Sequence, residues 1–309
     1  MTRFPLALGA ATLLALPAAA QTSPHPAMPR SAPSVPTTTD TTTARYQAFD
    51  ATGGALPLPL LLDEAARADV VFLGEIHDDP TGHAVELAVL AGIVERAGSR
   101  PVVLALEMFE ADVQTVLDEY VAGIISERDF LEASRPWQNY ADYRPLVEFA
   151  RTHGVRVVAS NAPVRYVRVL ARGEALGKLS EAALATLPPF PVAPASEATA
   201  AAFAEAMGGM GGHGGSALLD AQNLRDASMA HQTARALGGP GRPLVVHVNG
   251  GFHTAGRRGI PEHLTRLAPA ARVFVVAIEP VADVDARPEA AGADAVVQTE
   301  ARLVPSRNR

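Results

Sequence analysis

Five short apolar runs, rich in β-branched residues and too brief for helices, most constrain the fold of this 309-residue chain. Apolar runs of this length are typical of strands that are buried on both faces of a parallel sheet. The pattern therefore predicts at least five such strands. The runs occupy residues 70–73, 102–106, 155–159, 244–248 and 273–277.

Helical patterns separate these runs. In residues 81–97, apolar residues recur at three- and four-residue spacing, and Asp79 and Pro80 suit the N-cap and the first turn of a helix there. Alternating strands and helices predict an α/β fold, a layered domain with a mostly parallel β-sheet flanked by helices. Further helices are predicted over residues 110–121, 141–152, 163–172, 197–207, 217–236 and 261–267.

The two ends of the chain differ from this core. Residues 1–20 combine a basic residue, an apolar stretch and small residues, which predicts a signal peptide and export to the periplasm or beyond. The apolar stretch is shorter than the roughly 20 residues that span a bilayer, so we expect no integral membrane segment in the mature chain. Residues 21–44, rich in Pro, Thr and Ser, predict a disordered linker. We expect the folded domain over residues 45–282 and a flexible C-terminal tail over 283–309.

Charge and cysteine content exclude several function classes. Lys+Arg 26 against Asp+Glu 33 gives a net charge of −7, so the chain offers no strongly basic footprint for nucleic acid. It contains no cysteine, which excludes disulfides, thiolate metal sites and a lipid-anchored cysteine. We therefore expect a soluble periplasmic or secreted protein, not a lipoprotein.

Polar residues follow the apolar runs, at the carboxyl ends of the predicted strands where ligands bind in such sheets. Glu75 and His77 follow the first run, Glu107 follows the second and His253 follows the fourth. Their nitrogen and oxygen atoms suit a divalent metal site. The same groups suit a general base oriented by a carboxylate, and the spacing does not choose between the two roles. Three more polar residues near these ends are candidates for ligand binding: His83, Asn161 and Asn249.

Several motifs together resemble a known protein family. Two Gly-x-x-His signatures flank an acidic motif, and two longer segments are more specific. These motifs occupy residues 74–77, 250–253, 106–109, 136–143 and 221–230. On them, the chain resembles the ChaN-like haem-binding proteins of the Tiki superfamily over roughly residues 65–280. That superfamily also includes the Tiki metalloproteases and relatives of erythromycin esterase.

The resemblance implies an exported protein that binds haem and takes part in haem or iron uptake, with an α/β fold like that of the esterase relatives. It leaves open whether the chain forms a homodimer and whether a haem-uptake receptor or transporter component receives its cargo. A metal- or His/Glu-dependent hydrolase, esterase-like or protease-like, is the alternative function. A third reading combines haem binding on one surface with a catalytic site on another.

Haem binding requires an apolar surface, an axial donor, and basic or amide groups near the propionates. Tyr140 and Tyr143 lie three residues apart at the start of a predicted helix and are candidate donors, although such tyrosines are more often core residues. A glycine-rich loop contains Met210 and His213, which are either haem ligands or parts of a simple linker. Arg225, on the following helix, is a candidate partner for a propionate.

Overall fold

A single seven-stranded sheet forms the centre of the computed structural model, which describes residues 45–208, 213–289 and 292–301, without the side chains of residues 213 and 214. The strands are β1 (Tyr46–Asp50), β2 (Val70–Glu75), β3 (Val102–Glu110), β4 (Arg156–Asn161), β5 (Leu244–Gly250), β6 (Val273–Val281) and β7 (Ala295–Glu300). Their order is β1-β7-β6-β2-β5-β3-β4, and every neighbouring pair is parallel except β1 with β7.

The five predicted strands are confirmed as β2 to β6. The predicted flexible tail is wrong for Ala295–Glu300, because these residues form β7, which pairs with β6 and β1. The apolar part of β7 is a short run behind a stretch rich in Ala and Asp, so it gave no distinct strand pattern. The folded domain therefore extends past the predicted boundary at residue 282 to residue 300 at least.

Ten α-helices surround the sheet in the described part of the chain. They are α1 (Leu58–Ala65), α2 (Pro80–Ala97), α3 (Gln114–Val121), α4 (Glu127–Ser134), α5 (Tyr140–His153), α6 (Val164–Ala171), α7 (Glu181–Leu184), α8 (Glu197–Ala206), α9 (His213–Leu237) and α10 (Ile260–Leu267). The seven predicted helices are confirmed within a few residues, and the short helices α1, α4 and α7 were not predicted. None of the helices within these ranges combines the length and the apolar character needed to cross a bilayer.

The sheet is buried on both faces, as its continuous apolar runs require. In β2, Val71 and Leu73 join the cluster formed with α1, α2 and α5, whereas Val70 and Phe72 join the cluster on the side of α9 and α10. Since side chains alternate along a strand, Glu75 at the end of β2 is directed to the same face as Leu73. The strand pattern therefore places a carboxylate beneath α2 and α5.

Two hydrogen bonds to the Asp79 carboxylate hold the start of α2 in place. Asp79 is the N-cap, and its Oδ1 accepts a hydrogen bond from the Thr81 backbone N–H at 3.0 Å. Its Oδ2 accepts a hydrogen bond from the Thr299 hydroxyl of β7 at 2.5 Å. The predicted cap is thus confirmed, and the same carboxylate ties β7 to the helix that follows β2.

Replacement of Asp79 by alanine tests this connection. We expect Asp79→Ala to lower the free energy of unfolding by about 1–2 kcal/mol, because the helix loses its cap and the Thr299 hydroxyl loses its acceptor. Denaturant unfolding measures the change, with Asp78→Ala as the control, since Asp78 is an exposed neighbour. Equal stability of the two variants would contradict the proposed connection.

Candidate functional site

The carboxyl ends of β2, β5 and β3 lie side by side at one edge of the sheet, and four predicted site residues lie there: Glu75, His77, Glu107 and His253. Glu75 is paired in register with Gly250, so the two Gly-x-x-His segments leave the sheet next to each other. Gly74 allows this approach, because a Cβ atom at that position would lie 2.6 Å from Thr254 Oγ1 and 3.2 Å from Gly251 Cα. The two segments therefore meet at one edge of the sheet, as expected for residues that follow the carboxyl ends of neighbouring strands.

Glu75 is buried and binds two aromatic groups through a single carboxylate oxygen. His77 Nδ1 lies 2.5 Å from Glu75 Oε1, and the Tyr143 hydroxyl donates a hydrogen bond to the same oxygen at 3.0 Å. The other oxygen, Oε2, is buried without a hydrogen-bond partner in the described part of the chain. Burial disfavours the imidazolium of His77, but the hydrogen bond and charge of Glu75 outweigh burial and raise the pKa of His77.

The ring of His77 is half-exposed, with 43% of its side-chain surface accessible. Its centroid lies 4.9 Å from that of Trp137, edge to face. On its other side the ring lies close to Gly250, where a Cβ would come within 2.9 Å of His77 Nε2. The described residues place no hydrogen-bond partner on Nε2, so this nitrogen is available to a ligand.

A second, fully buried group lies behind Glu75. His83 and Glu86 are one turn apart on α2, with His83 Nδ1 3.2 Å from Glu86 Oε2 and His83 Nε2 3.3 Å from the His77 carbonyl oxygen. Burial raises the pKa of Glu86 to about 7. Burial opposes the charge on His83, but the hydrogen bond and charge of Glu86 raise its pKa to about 9. The structure therefore places His83 behind the strand ends, among buried carboxylates.

His253 lies between two buried carboxylates. Its Nε2 is 3.2 Å from Glu107 Oε1, and its Nδ1 is 2.5 Å from Asp226 Oδ1 on α9. Glu107 also accepts a hydrogen bond from the Gly250 backbone N–H at 2.8 Å. Both ring nitrogens of His253 are therefore engaged, and neither is free to act as a base or a metal ligand.

Both carboxylates attract the His253 ring, whereas the two carboxylates repel each other. Burial opposes the imidazolium of His253, but the charges of Glu107 and Asp226 raise its pKa to about 10. Burial likewise opposes ionisation of Glu107, but the charge and hydrogen bond of His253 and the Gly250 amide lower its pKa to about 2. The pKa of Asp226 is raised by burial. His253 and Glu107 are thus both charged at neutral pH, and Asp226 completes a buried triad around the imidazolium.

The two predicted asparagines are buried, and both hold neighbouring groups in place. Asn161 Oδ1 accepts a hydrogen bond from Arg225 Nη1 at 3.2 Å. Asn249 lies 3.1 Å from the Nδ1 atom of His247 and donates to the Gly250 carbonyl at 2.9 Å. Burial lowers the pKa of His247 to about 4, so that ring is neutral. Arg225 is half-buried, and no carboxylate in the described part of the chain pairs with it.

The two predicted tyrosines have different surroundings. The hydroxyl of Tyr143 is bound to Glu75, whereas that of Tyr140 is buried without a described partner, with its ring packed against Phe109 and Phe130. Burial raises the pKa of both phenols, which disfavours a tyrosinate. The structure therefore places Tyr140 in the core and Tyr143 beneath His77.

The glycine-rich loop is only partly within the described chain. Met210 lies outside the described residues, and of His213 the structure describes only the backbone, at the start of α9. The prediction that these two residues bind haem therefore stays a prediction.

Sequence reasoning did not identify three contributors to this edge. Asp226 pairs with His253, Glu86 pairs with His83, and Trp137 packs against His77. Helical spacing could have indicated part of these contacts from the sequence, because residues three or four apart lie on the same face of a helix. His83 and Glu86 have that spacing, as do Gln222 and Asp226, both of which contact His253.

Comparisons with known proteins identify relatives at the level of family and fold. Residues 61–264 match the family described as haem-binding uptake, Tiki superfamily, ChaN. RETICULATA-RELATED 5, a chloroplastic protein of Arabidopsis thaliana, is 26% identical over 236 residues, which are 71% of this chain and 32% of that protein. The chain thus spans about a third of the length of this curated relative.

Two solved structures match this chain to different degrees. ChaN of Campylobacter jejuni, a structure described as cofacial haem binding, has a TM-score of 0.64 and 17% identity, covering 84% of this chain and 98% of that chain. A mutant of the erythromycin esterase EreC in its open conformation has a TM-score of 0.44 and 12% identity, covering 76% of this chain and 77% of that chain. The likeness to ChaN confirms the predicted α/β layered fold.

The protonation of His253 gives a test of the buried triad. With a folded pKa of about 10 against 6.5, its stabilising contribution is complete below pH 6.5 and is lost as the pH rises through about 10. In ¹⁵N NMR spectra of the imidazoles, we expect His253 to stay protonated up to pH 9 or so, and Asp226→Asn to lower its midpoint by more than about one unit.

His231 on α9 is the control for that titration. Burial and the charge of Arg235 lower its pKa, so we expect its midpoint below 6.5 in both proteins. A His253 midpoint near 6.5 in the unsubstituted chain would contradict a buried imidazolium held by its two carboxylates.

Proposed function

The chain belongs to the ChaN haem-binding uptake family of the Tiki superfamily, and from this premise we propose that it binds haem at the carboxyl edge of its sheet. One observation carries the placement: His77 presents an exposed ring with an unengaged Nε2 at the point where apolar side chains are also exposed. The bound group would contact the chain there, with His77 as its imidazole donor.

The surface around His77 suits a flat apolar ligand. Ile76 is 45% exposed and Phe252 is 41% exposed, and they leave neighbouring strands β2 and β5 next to each other. Trp137 is partly buried against the His77 ring. Exposed apolar groups that cluster in this way typically mark a binding surface. We call the surface formed by Ile76, His77, Trp137 and Phe252 the haem face.

Glu75 prepares His77 for a ligand role. When His77 Nδ1 carries the proton shared with Glu75, Nε2 has the free electron pair that a haem iron accepts. A carboxylate on the far nitrogen fixes the ring orientation and raises its basicity as a ligand. Bound haem would supply a redox-active iron, and the contribution of this chain is to bind, orient and shield the macrocycle.

Arg225 is the residue best placed to meet a propionate. It neighbours Asp226, which contacts His253 at the same edge, and Arg225 lacks a carboxylate partner among the described residues. A guanidinium without an internal ion pair readily binds an incoming carboxylate. Asn161, which accepts one of its N–H groups, would hold the guanidinium in position.

The α8 helix borders the haem face as well. The ring of Phe203 on α8 lies 6.1 Å from that of Phe252, edge to face. The α8 helix leads into the segment that contains Met210 and His213. We propose His213 or Met210 as a second contact for the bound haem.

We also propose the wider role that family membership supports. The chain is exported by means of residues 1–20, acts in haem or iron uptake and hands its cargo to a receptor or transporter component. The structure of Campylobacter ChaN is described as cofacial haem binding. By that likeness, a second copy of this chain covers the haem face and forms a homodimer. For the hydrolase alternative, His253 is unsuited as a base because both of its nitrogens are engaged by carboxylates, which leaves His77, oriented by Glu75, as the candidate base.

Hemin titration tests the role of His77. We expect the unsubstituted chain to give a saturable Soret band and His77→Ala to weaken hemin binding by about tenfold or more, equivalent to roughly 1.4 kcal/mol, because the imidazole donor is lost. The control is His153→Ala, since His153 is an exposed histidine at the end of α5. Equal spectra and affinities for all three proteins would contradict the placement.

The oligomeric state with and without hemin tests whether a second copy of the chain covers the haem face. We expect native mass spectrometry to show that hemin shifts the protein toward a dimer with two haems, because each haem exposes one apolar face that a second chain covers. A haem-loaded monomer in the unsubstituted protein would contradict the homodimer.

A further inference from the structure

Three buried side chains lie together behind the haem face, and two of them, His83 and Glu86, have no part in the proposed haem binding. Glu75 from the end of β2 and His83 and Glu86 from α2 each offer one ligand atom, and these atoms lie within 4.8 Å of one another. Glu75 is 1% exposed, His83 is 8% exposed and Glu86 is 0% exposed. No hydrogen-bond or ring contact of the group includes a lysine or arginine among the described residues.

Two carboxylate oxygens in this group lack partners. Glu75 Oε2 and Glu86 Oε1 are buried and form no hydrogen bond in the part of the chain that the structure describes. A buried carboxylate oxygen without a donor is costly, since it has lost its water. Both unpartnered oxygens belong to the same three-residue group, so a single cation would satisfy them together.

The histidine of the group is oriented as a metal ligand is. His83 Nε2 lies 3.3 Å from the His77 carbonyl oxygen, to which it can only donate. With Nε2 as a donor, Nδ1 faces Glu86 Oε2 at 3.2 Å and shares a proton with it in the metal-free protein, and a bound cation would replace that proton. A lone pair that faces a carboxylate oxygen requires a proton or a cation between them. A backbone carbonyl on the far nitrogen is also the usual partner of a metal-bound imidazole.

The surroundings hold the three donors in place. The Asp79 cap fixes the start of α2, and His83 and Glu86 project from its first two turns with one-turn spacing. Tyr143 donates to Glu75 Oε1, and its ring packs edge to face against His83 with centroids 4.7 Å apart. Two carboxylates and one imidazole are a donor set that suits Mn²⁺, Fe²⁺ and Zn²⁺.

We propose that Glu75, His83 and Glu86 bind one divalent first-row metal ion, separately from haem. The site is distinct from the set of Glu75, His77, Glu107 and His253 considered from sequence, because His253 is held by its two carboxylates. The metal ion would bind Glu75 Oε2, and Glu75 Oε1 would keep its hydrogen bonds with His77 and Tyr143.

Zinc binding to the haem-free protein tests the proposal without reference to haem. After treatment with EDTA, we expect isothermal titration calorimetry to show one Zn²⁺ per chain and an increase in thermal stability. Glu86→Gln should weaken Zn²⁺ binding by more than about tenfold, since even outer partners of a metal contribute that much. The matched control is Glu95→Gln, at an exposed position of the same helix.

A His253→Gln variant distinguishes the two candidate metal sites. The proposal expects it to bind Zn²⁺ as the unsubstituted chain does. The proposal is overturned by absence of Zn²⁺ binding, by unchanged binding in Glu86→Gln, or by loss of binding in His253→Gln alone. Should Glu86→Gln fail to fold, a zinc-edge anomalous map of the unsubstituted protein decides: a peak among Glu75, His83 and Glu86 supports the site, and a peak elsewhere, or none, refutes it.

Discussion

The buried carboxylate of Glu75 is the interaction on which the rest of the site depends. Strand alternation directs it beneath α2 and α5, where its Oε1 binds His77 and Tyr143 and the carboxylate lies beside His83 and Glu86. A carboxylate at this depth is stable only when it is paired. Its partners therefore fix the orientation of the exposed ring that we propose as the haem donor.

The sheet order explains why two similar motifs have different roles. Since β2 and β5 are neighbours in register, both Gly-x-x-His segments reach the same edge, but only the first leaves its imidazole exposed. The second imidazole, of His253, is buried between Glu107 and Asp226 and serves as a charged structural element. The difference arises from α9, which contributes a carboxylate to one histidine and not to the other.

The sequence predicted the five central strands because their apolar runs are buried on both faces, and it placed Glu75, His77, Glu107 and His253 correctly at one edge. Two strands were missed: β1 lies at the sheet edge, and β7 follows a stretch without a strand pattern. The chemical roles of these residues were harder to predict than their positions in the fold. The partners Asp226 and Glu86 come from helices, and which carboxylate faces which imidazole depends on how those helices pack.

The central claim is that haem lies across His77 at the carboxyl edge. Gallium protoporphyrin, a diamagnetic analogue of haem, tests it through the backbone amide NMR spectrum of the unsubstituted protein. The account predicts that the largest shift changes occur at Ile76, His77, Trp137 and Phe252 and are smaller along α6 and α10. Changes centred on another surface, with these residues unaffected, would contradict it.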